Sequence, residues 1–313
     1  MSGNKKEEQA NTSVEKSTTY SQRFTGMVLR EFGDTIGGRL ELSPYKQALA
    51  QHLFVGIDAA LKDLEANRIK KGKTNDLPIV WANINMSKLA LDAVHRVELG
   101  LDALIPGQIY PIPYMNGKTG KYDLDLRIGY VGKDYYRRKL ATHPPKDIIY
   151  QLVHESDEFI PIMTPGAESY SFTIKSPFKR GPVIGGFGYI VYEDPARNKL
   201  ILVSRDDFDK SRKASGSDKF WGPYEAQMQY KTLVNRVTKH LAIDPEKVNV
   251  SYAQVEIDEA REASEREIHE NANGEVIDVQ GTWTPSEEEK QAIEEQERSE
   301  AGQPQTEGPR PGF

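Results

Sequence analysis

Nucleophiles, metal ligands and phosphate-binding glycines are the residues through which a chain does chemistry, and here their spacing is wrong for most of it. The sequence has no cysteine, which removes disulfides, thiolate metal sites and cysteine nucleophiles together. Its six histidines, His52, His95, His143, His154, His240 and His269, stand apart, with no pair three to five residues from each other, so no zinc site is expected. Lys71-Gly72-Lys73-Thr74 matches the end of a phosphate-binding loop, but that loop needs glycine where this chain has Asn67, and no strand precedes it. Gly185-Gly186-Phe187-Gly188 opens a strand, whereas a dinucleotide fingerprint opens a helix; close packing of the strand is the better reading. The pairs Asp123 with Asp125 and Asp206-Asp207 have the residue type of a two-metal nuclease, which holds its ions about 4 Å apart. The plainer reading is surface carboxylates in strands and turns.

Two basic segments interleaved with aromatic residues remain. Arg127-Ile128-Gly129-Tyr130-Val131-Gly132-Lys133-Asp134-Tyr135-Tyr136-Arg137-Arg138-Lys139 contains five positive charges, one negative charge and three tyrosines. Single-stranded DNA calls for this mixture, because cations neutralise backbone phosphates while aromatic faces stack on bases at about 1–3 kcal/mol each without reading sequence. The competing reading puts the tyrosines in the core and leaves the charges to solvate a helix. The second segment holds Lys210, Arg212, Lys213, Lys219, Lys231, Arg236 and Lys239, with Trp221 and Tyr224 nearby. On a helical wheel of about 100° per residue, Tyr230, Leu233, Val234, Val237 and Leu241 form an apolar stripe, and Gln229, Thr232, Arg236 and Lys239 gather opposite. Solvated lysines on a helix explain that pattern as well as DNA contact does. Ser211 to Ser217 reads as a mobile loop able to close on a nucleic-acid backbone.

The elements that would carry these segments can be read from periodicity. The first 23 residues are polar and predict a flexible arm, with the body starting near Phe24. Ser43-Pro44 is an N-cap followed by proline at the first helical position, and Leu49, Leu53, Ile57, Ala60, Leu61 and Leu64 follow at helical spacing. A second helix is expected over Asn85 to Leu99, with Gly100 at its C-cap. Ile109 to Met115 and Tyr122 to Val131 predict a hairpin whose tip carries Lys118 and Lys121, followed by a short helix from Lys133 to Thr142. Strands are expected at Ile148–Val153, Ser169–Lys175, Phe187–Tyr192 and Lys199–Ser204, and a last helix from Gly222-Pro223 to Leu241. The class is α+β: N-terminal helices, a central antiparallel sheet with a hairpin, and a C-terminal helix packed on it.

Charge divides along the chain. Residues 256–313 hold 17 acidic and five basic side chains, and residues 1–255 hold 36 basic and 30 acidic ones. A basic body with an acidic tail points toward nucleic-acid or interaction proteins. The expected organisation is therefore an arm over 1–23, a DNA-binding core over 24–255, and a mostly disordered acidic tail with some local helix over 256–313. That tail has three readings: it keeps an assembly soluble, competes with DNA, or docks a partner. No apolar run of 18 residues and no apolar N-terminus occurs, so a cytoplasmic protein without membrane contact is expected.

At the two basic segments the chain resembles the RecT family of phage single-strand annealing proteins. Four stretches carry the resemblance in order: Val97-Glu98-Leu99-Gly100-Leu101; Ile109 to Tyr114 with Ile128-Gly129-Tyr130-Val131-Gly132 and the basic helix; His154-Glu155-Ser156-Asp157-Glu158-Phe159; and Trp221-Gly222-Pro223-Tyr224 leading into Met228-Gln229-Tyr230-Lys231-Thr232. They extend over about Pro44 to Pro245. The resemblance implies ATP-independent binding and annealing of single strands in homologous recombination and repair, by a non-catalytic homo-oligomer, a ring or helical filament, with DNA in a basic groove. It implies no cofactor, with Mg²⁺ at most modulating DNA binding. The implied partners are single-stranded DNA, the annealed duplex intermediate, a 5′-to-3′ exonuclease and the host single-strand binding protein. The DNA-contacting candidates are Lys118, Lys121, Arg127, Tyr130, Lys133, Tyr135, Arg137, Arg138, Lys139, Lys210, Arg212, Lys213, Lys219, Trp221, Lys231, Arg236 and Lys239. Where many relatives carry a basic residue, this chain has Val131, and Lys133 is the candidate substitute. The segment Pro161 to Pro177 and the acidic tail have no counterpart in the resemblance. A metal-dependent nuclease using the paired aspartates and an interaction scaffold without DNA are the rival functions.

Overall fold

A computed structural model describes residues 19–36, 43–215 and 218–261, and these fall within one compact unit. The N-terminal helix α1 (Tyr20–Ile36) begins ahead of the expected body start, because Thr19 and Gln22 cap each other: Gln22 N donates to Thr19 Oγ1 at 3.2 Å and Thr19 N to Gln22 Oε1 at 3.0 Å. The expected flexible arm is thus shortened at its end by a helix that buries Phe24, Val28 and Phe32; the arm's residues 1–18 lie outside the described residues, as does the tail beyond 261. Helix α2 (Pro44–Lys70) starts as its sequence dictates, with Ser43 Oγ accepting from Lys46 N and proline in the first turn. It buries Leu49, Leu53, Ile57 and Leu61 at the expected spacing. Helix α3 (Met86–Glu98) ends where Gly100 adopts φ +81°, a conformation glycine enters at no steric cost.

Strands β1 (Ile109–Asn116) and β2 (Lys121–Ile128) form an antiparallel hairpin in which Tyr110 faces Arg127 and Tyr114 faces Asp123. One face of β2 is apolar, and Tyr122, Leu124, Leu126 and Ile128 join α1, α2 and α3 in the larger core. Helix α4 (Tyr130–Leu140) follows at once. It starts three residues ahead of its expected position, because Gly129 at the N-cap lets the chain run directly from strand into helix.

The second core belongs to a three-stranded antiparallel sheet, β3 (Asp147–His154), β6 (Val183–Val191) and β7 (Lys199–Ser204), with β6 in the middle. Between β3 and β6 the chain makes a separate hairpin of β4 (Glu158–Ile162) and β5 (Ser169–Thr173), so much of the unmatched segment Pro161 to Pro177 is hairpin. Its Phe159, Tyr170 and Phe172 pack on Phe187 of β6, with the Phe159 and Phe187 rings stacked 4.6 Å apart. Helix α5 (Arg205–Lys213) is closed by a capping box between Ser204 and Asp207. The short α6 (Asp218–Trp221) and the long α7 (Glu225–Thr238) follow, and α7 lies on the sheet through Leu233 and Val237. The architecture is mixed α+β, with antiparallel sheets in the central region and a C-terminal helix packed on them.

Residues 250–261 are also helical. The acidic stretch is therefore helical over 256–261, a piece of the local helix expected there, and Val255, 1% exposed, anchors that helix in the larger core.

The glycines of β6 explain how α7 approaches so closely. A Cβ on Gly188 would stand 2.3 Å from Val237 Cγ2, and one on Gly186 would stand 3.1 Å from a Leu233 methyl. The expected close packing of this strand is what its glycines provide. Gly188→Ala is expected to lower unfolding free energy by about 1–3 kcal/mol through overpacking, read as a lower denaturant midpoint at unchanged m-value.

Candidate nucleic-acid interface

Helix α4 is fixed by glycines at its start. A Cβ on Gly129 would meet Gly107 O at 2.1 Å, and one on Gly132 would meet Gln108 O at 2.7 Å, so the Ile-Gly-Tyr-Val-Gly stretch lets the helix seat on the loop before β1. Val131 packs on the same loop, against Gly107, which has φ +83°.

Seated this way, α4 sends its side chains in three directions. Tyr130, Asp134 and Arg138 face the sheet and α7: Arg138 Nε donates to Asp134 Oδ1 at 2.8 Å, its guanidinium lies 6.0 Å from the Tyr150 ring centroid, and Tyr130 and Tyr150 both meet the Tyr230 ring edge-on. Burial and the hydrogen bond to Asp134 push the Tyr150 hydroxyl well above its ordinary pKa. Tyr135 and Lys139 face the end of α3, where Lys139 Nζ lies 6.0 Å from the Tyr135 ring and donates to Leu99 O at 3.4 Å. Lys133 and Arg137 face helix 250–261 and pair with Glu259 and Glu256. The core-filling and charge-presenting readings of this segment are both partly right: Tyr136 is fully buried, while Tyr135 is 37% exposed.

The structure brings α4 and α7 together through Tyr130, Tyr150 and Tyr230, but it does not gather all the candidate cations into one trough of a single chain. Arg127 at the end of β2 donates to Tyr114 Oη at 3.0 Å and pairs with Asp125 at 3.1 Å. Arg236 pairs with Asp207 at 3.2 Å, tying α7 to the start of α5. Arg212 pairs with Asp218 at 2.8 Å. Lys210, Arg212 and Lys213 occupy the last turn of α5, not a loop, because the Ser204 cap nucleates a helix through them. Lys118, Lys121, Lys139, Lys210, Lys213, Lys231 and Lys239 are exposed. Lys219 lies in α6.

Three candidates, Trp221, Arg137 and Lys133, are buried or paired, and one helical-wheel placement, that of Gln229, is corrected. Trp221 is 3% exposed, and its Nε1 has no hydrogen-bond partner among the described residues, so it is a core side chain and cannot stack on a base in this conformation. Arg137 is 7% exposed and held at 2.6 Å from Glu256, and Lys133 pairs with Glu259 at 3.0 Å, so in this conformation carboxylates of the chain itself occupy both cations. Gln229, placed on the polar face of α7 by the helical wheel, is buried, because its amide donates to Glu225 Oε1 at 3.0 Å and Glu225 in turn binds Arg205. Exposed aromatic side chains that sequence reasoning passed over include Tyr45, Phe178, Tyr110 and Tyr114; the last two share a face of β1 opposite Arg127 and Asp123 respectively, a period-two signal that was present in the sequence.

The remaining motif residues have structural work. Asp157 of the His154–Phe159 stretch accepts from His154 N and Arg180 Nε; burial raises its pKa, but these bonds outweigh that and lower it. Asp123 accepts from Asn85, Asn116 and Lys88, which lower its pKa against the effect of burial. Asp207 caps α5, and Ser204 bonds lower its pKa. Gly72 ends α2 at φ +69°, an exposed turn after a helix, not a loop between strand and helix. Of the histidines, His95 is buried on Ser251 Oγ at 3.1 Å, and burial lowers its pKa; His52 Nδ1 lies 2.8 Å from Asp102. Among the described residues no three His, Asp or Glu side chains cluster as metal ligands. No described helix is long and apolar enough to cross a membrane.

The described surface thus carries exposed lysines and tyrosines beside arginines paired with the chain's own carboxylates. The chain belongs to the RecT family, which its residues 77–272 match. That range leaves α1 and α2 outside and takes in helix 250–261. No curated protein matches the chain. Family membership makes it a DNA-binding protein of the phage single-strand annealing type, acting in recombination, in a family whose members are generally non-catalytic.

The carboxylates around α3 produce a pH signature. Burial pushes the Asp92 carboxyl up to about 6, with Asp258 and Asp125 adding to it and Arg96 opposing. A carboxyl whose folded pKa is raised stabilises the fold when protonated, so this contribution is present at acid pH and lost as pH rises from about 4 through 6. Asp92→Asn is expected to gain on the order of 2 kcal/mol over the wild type between pH 4 and pH 7, measured by denaturant titration at each pH.

Proposed function

We propose that this chain coats single-stranded DNA and pairs complementary strands as an oligomer, without nucleotide hydrolysis. The observation that carries the reading is the meeting of the two basic segments: α4 and α7 pack side by side through Tyr130, Tyr150 and Tyr230, with Arg138 at the junction. Both helices also carry exposed lysines, Lys139 on α4 and Lys231 and Lys239 on α7. Phosphate contacts from these side chains hold a strand by its backbone and leave its bases free for a second strand, so base pairing itself supplies the energy. The single chain divides its cations, and adjacent protomers in a ring or filament complete a continuous track. DNA binding then requires no resident cofactor, with Mg²⁺ acting only through the charge of the strands. A 5′-to-3′ exonuclease that supplies strands and the host single-strand binding protein are the partners, in the cytoplasm.

Two complementary labelled oligonucleotides added in succession, with no nucleotide present, test this reading. Energy transfer that appears faster with protein than without supports it, and electron microscopy of the same sample should show oligomers. Release of shortened fragments in Mg²⁺ would favour a nuclease, and no shift of single strands at low salt would favour a scaffold. Lys231→Gln with Lys239→Gln is expected to flatten the dependence of log K on log salt by about 0.7 per lost phosphate contact.

A further inference from the structure

Helix 250–261 carries the first carboxylates of the acidic C-terminal stretch and lies over a cation cluster drawn from three elements. Glu256 Oε1 accepts from Arg137 Nη2 at 2.6 Å, Glu259 Oε1 pairs with Lys133 Nζ at 3.0 Å, and Asp258 Oδ2 pairs with Arg96 Nη2 at 3.5 Å. Arg127 lines the same small cleft. Three cations of α3 and α4 are thus paired with three acids of one helix, and Arg127 of β2 lies beside them.

Its apolar anchorage is thin. Val255 is the one large apolar side chain that the helix buries fully, while Val250 and Ile257 are 64% and 60% exposed. By contrast, α7 buries Leu233, Val234 and Val237. Ion pairs with partly exposed carboxylates weaken with salt and with competing anions. Beyond Val255, the Tyr252 ring edge-on to Tyr136 at 6.2 Å and the Ser251–His95 bond at 3.1 Å, this helix is held on α3 and α4 by ion pairs, the kind of interaction that a polyanion displaces.

We infer that helix 250–261 is a displaceable acidic cover: without nucleic acid its Glu256 and Glu259 occupy Arg137 and Lys133, and strand phosphates take their place when DNA binds. The inference rests on the DNA-binding reading above. It selects, among the readings of the acidic stretch, competition with DNA for these cations, and assigns it to residues at the start of that stretch.

The full-length Glu256→Gln/Glu259→Gln variant keeps side-chain shape and removes the competing charge. Its affinity for a labelled oligothymidylate is expected to rise about five- to tenfold, on the scale of two partly exposed ion pairs. Its log K against log salt should steepen by about 0.7 for each freed cation. Unchanged or weaker affinity with a cooperative unfolding transition overturns the cover. Hydrogen exchange of the wild type gives an answer independent of the variant's folding: amides of 250–261 should lose protection when the oligonucleotide is added, while those of α4 gain it. Protection of 250–261 that is kept or increased in the complex overturns the cover. A wild type that fails to bind the oligonucleotide defeats the DNA-binding reading and the cover with it, whereas a wild type that binds with an unresponsive variant defeats the cover alone.

Discussion

Carboxylates of the protein's own chain hold many of the cations through which it would meet a polyanion. Arg138 rests on Asp134, Arg236 on Asp207, Arg212 on Asp218, Arg137 on Glu256 and Lys133 on Glu259. These partners orient the guanidinium and ammonium groups and lower the repulsion among them, which a body rich in positive charge needs in order to stay folded. They also set the condition for binding, since a phosphate must do better than the carboxylate it replaces. The exposed lysines at the hairpin tip and along α5 and α7 face solvent and suit first encounter.

Backbone packing places those charges. The glycines of β6 let α7 lie flat on the sheet, and Gly129 and Gly132 let α4 sit on the loop before β1. Neither helix could approach its support so closely with a larger residue at these positions. The rings of Tyr130, Tyr150 and Tyr230 then join the two helices edge to face, so the positions of the basic side chains follow from apolar and aromatic contacts, not from charge.

Elements with a clear period were legible in the sequence. Helix α2 announced itself through Ser43-Pro44 and its leucine spacing, the β1–β2 hairpin through alternation around a glycine-bearing tip, and the close packing of β6 through its glycines. Where charge dominates composition, the reading failed. Helix α5 is mostly charged and polar and buries Phe208 alone, so Ser211 to Lys213 read as loop; its helix depends on the Ser204–Asp207 capping box, which is a local and easily missed signal. Some local helix was expected beyond 255, but the docking of helix 250–261 was hidden, because its partners on α3 and α4 lie more than a hundred residues away. The candidate cations could be named as residue types, but their directions could not be read: position on α4 decides whether a side chain meets α7, α3 or helix 250–261, and no local pattern states what lies on each side. Trp221 shows the same limit, since an aromatic beside lysines serves core and surface equally well until burial is known.

If exchange of carboxylate for phosphate governs binding, affinity for single strands must be dominated by counterion release. The most direct measurement is the equilibrium constant of the wild type for an oligothymidylate between about 50 and 200 mM salt. A fall of about 10³ to 10⁵, the range for 6–10 neutralised phosphates, is the predicted result; a constant that barely moves across that range would contradict it.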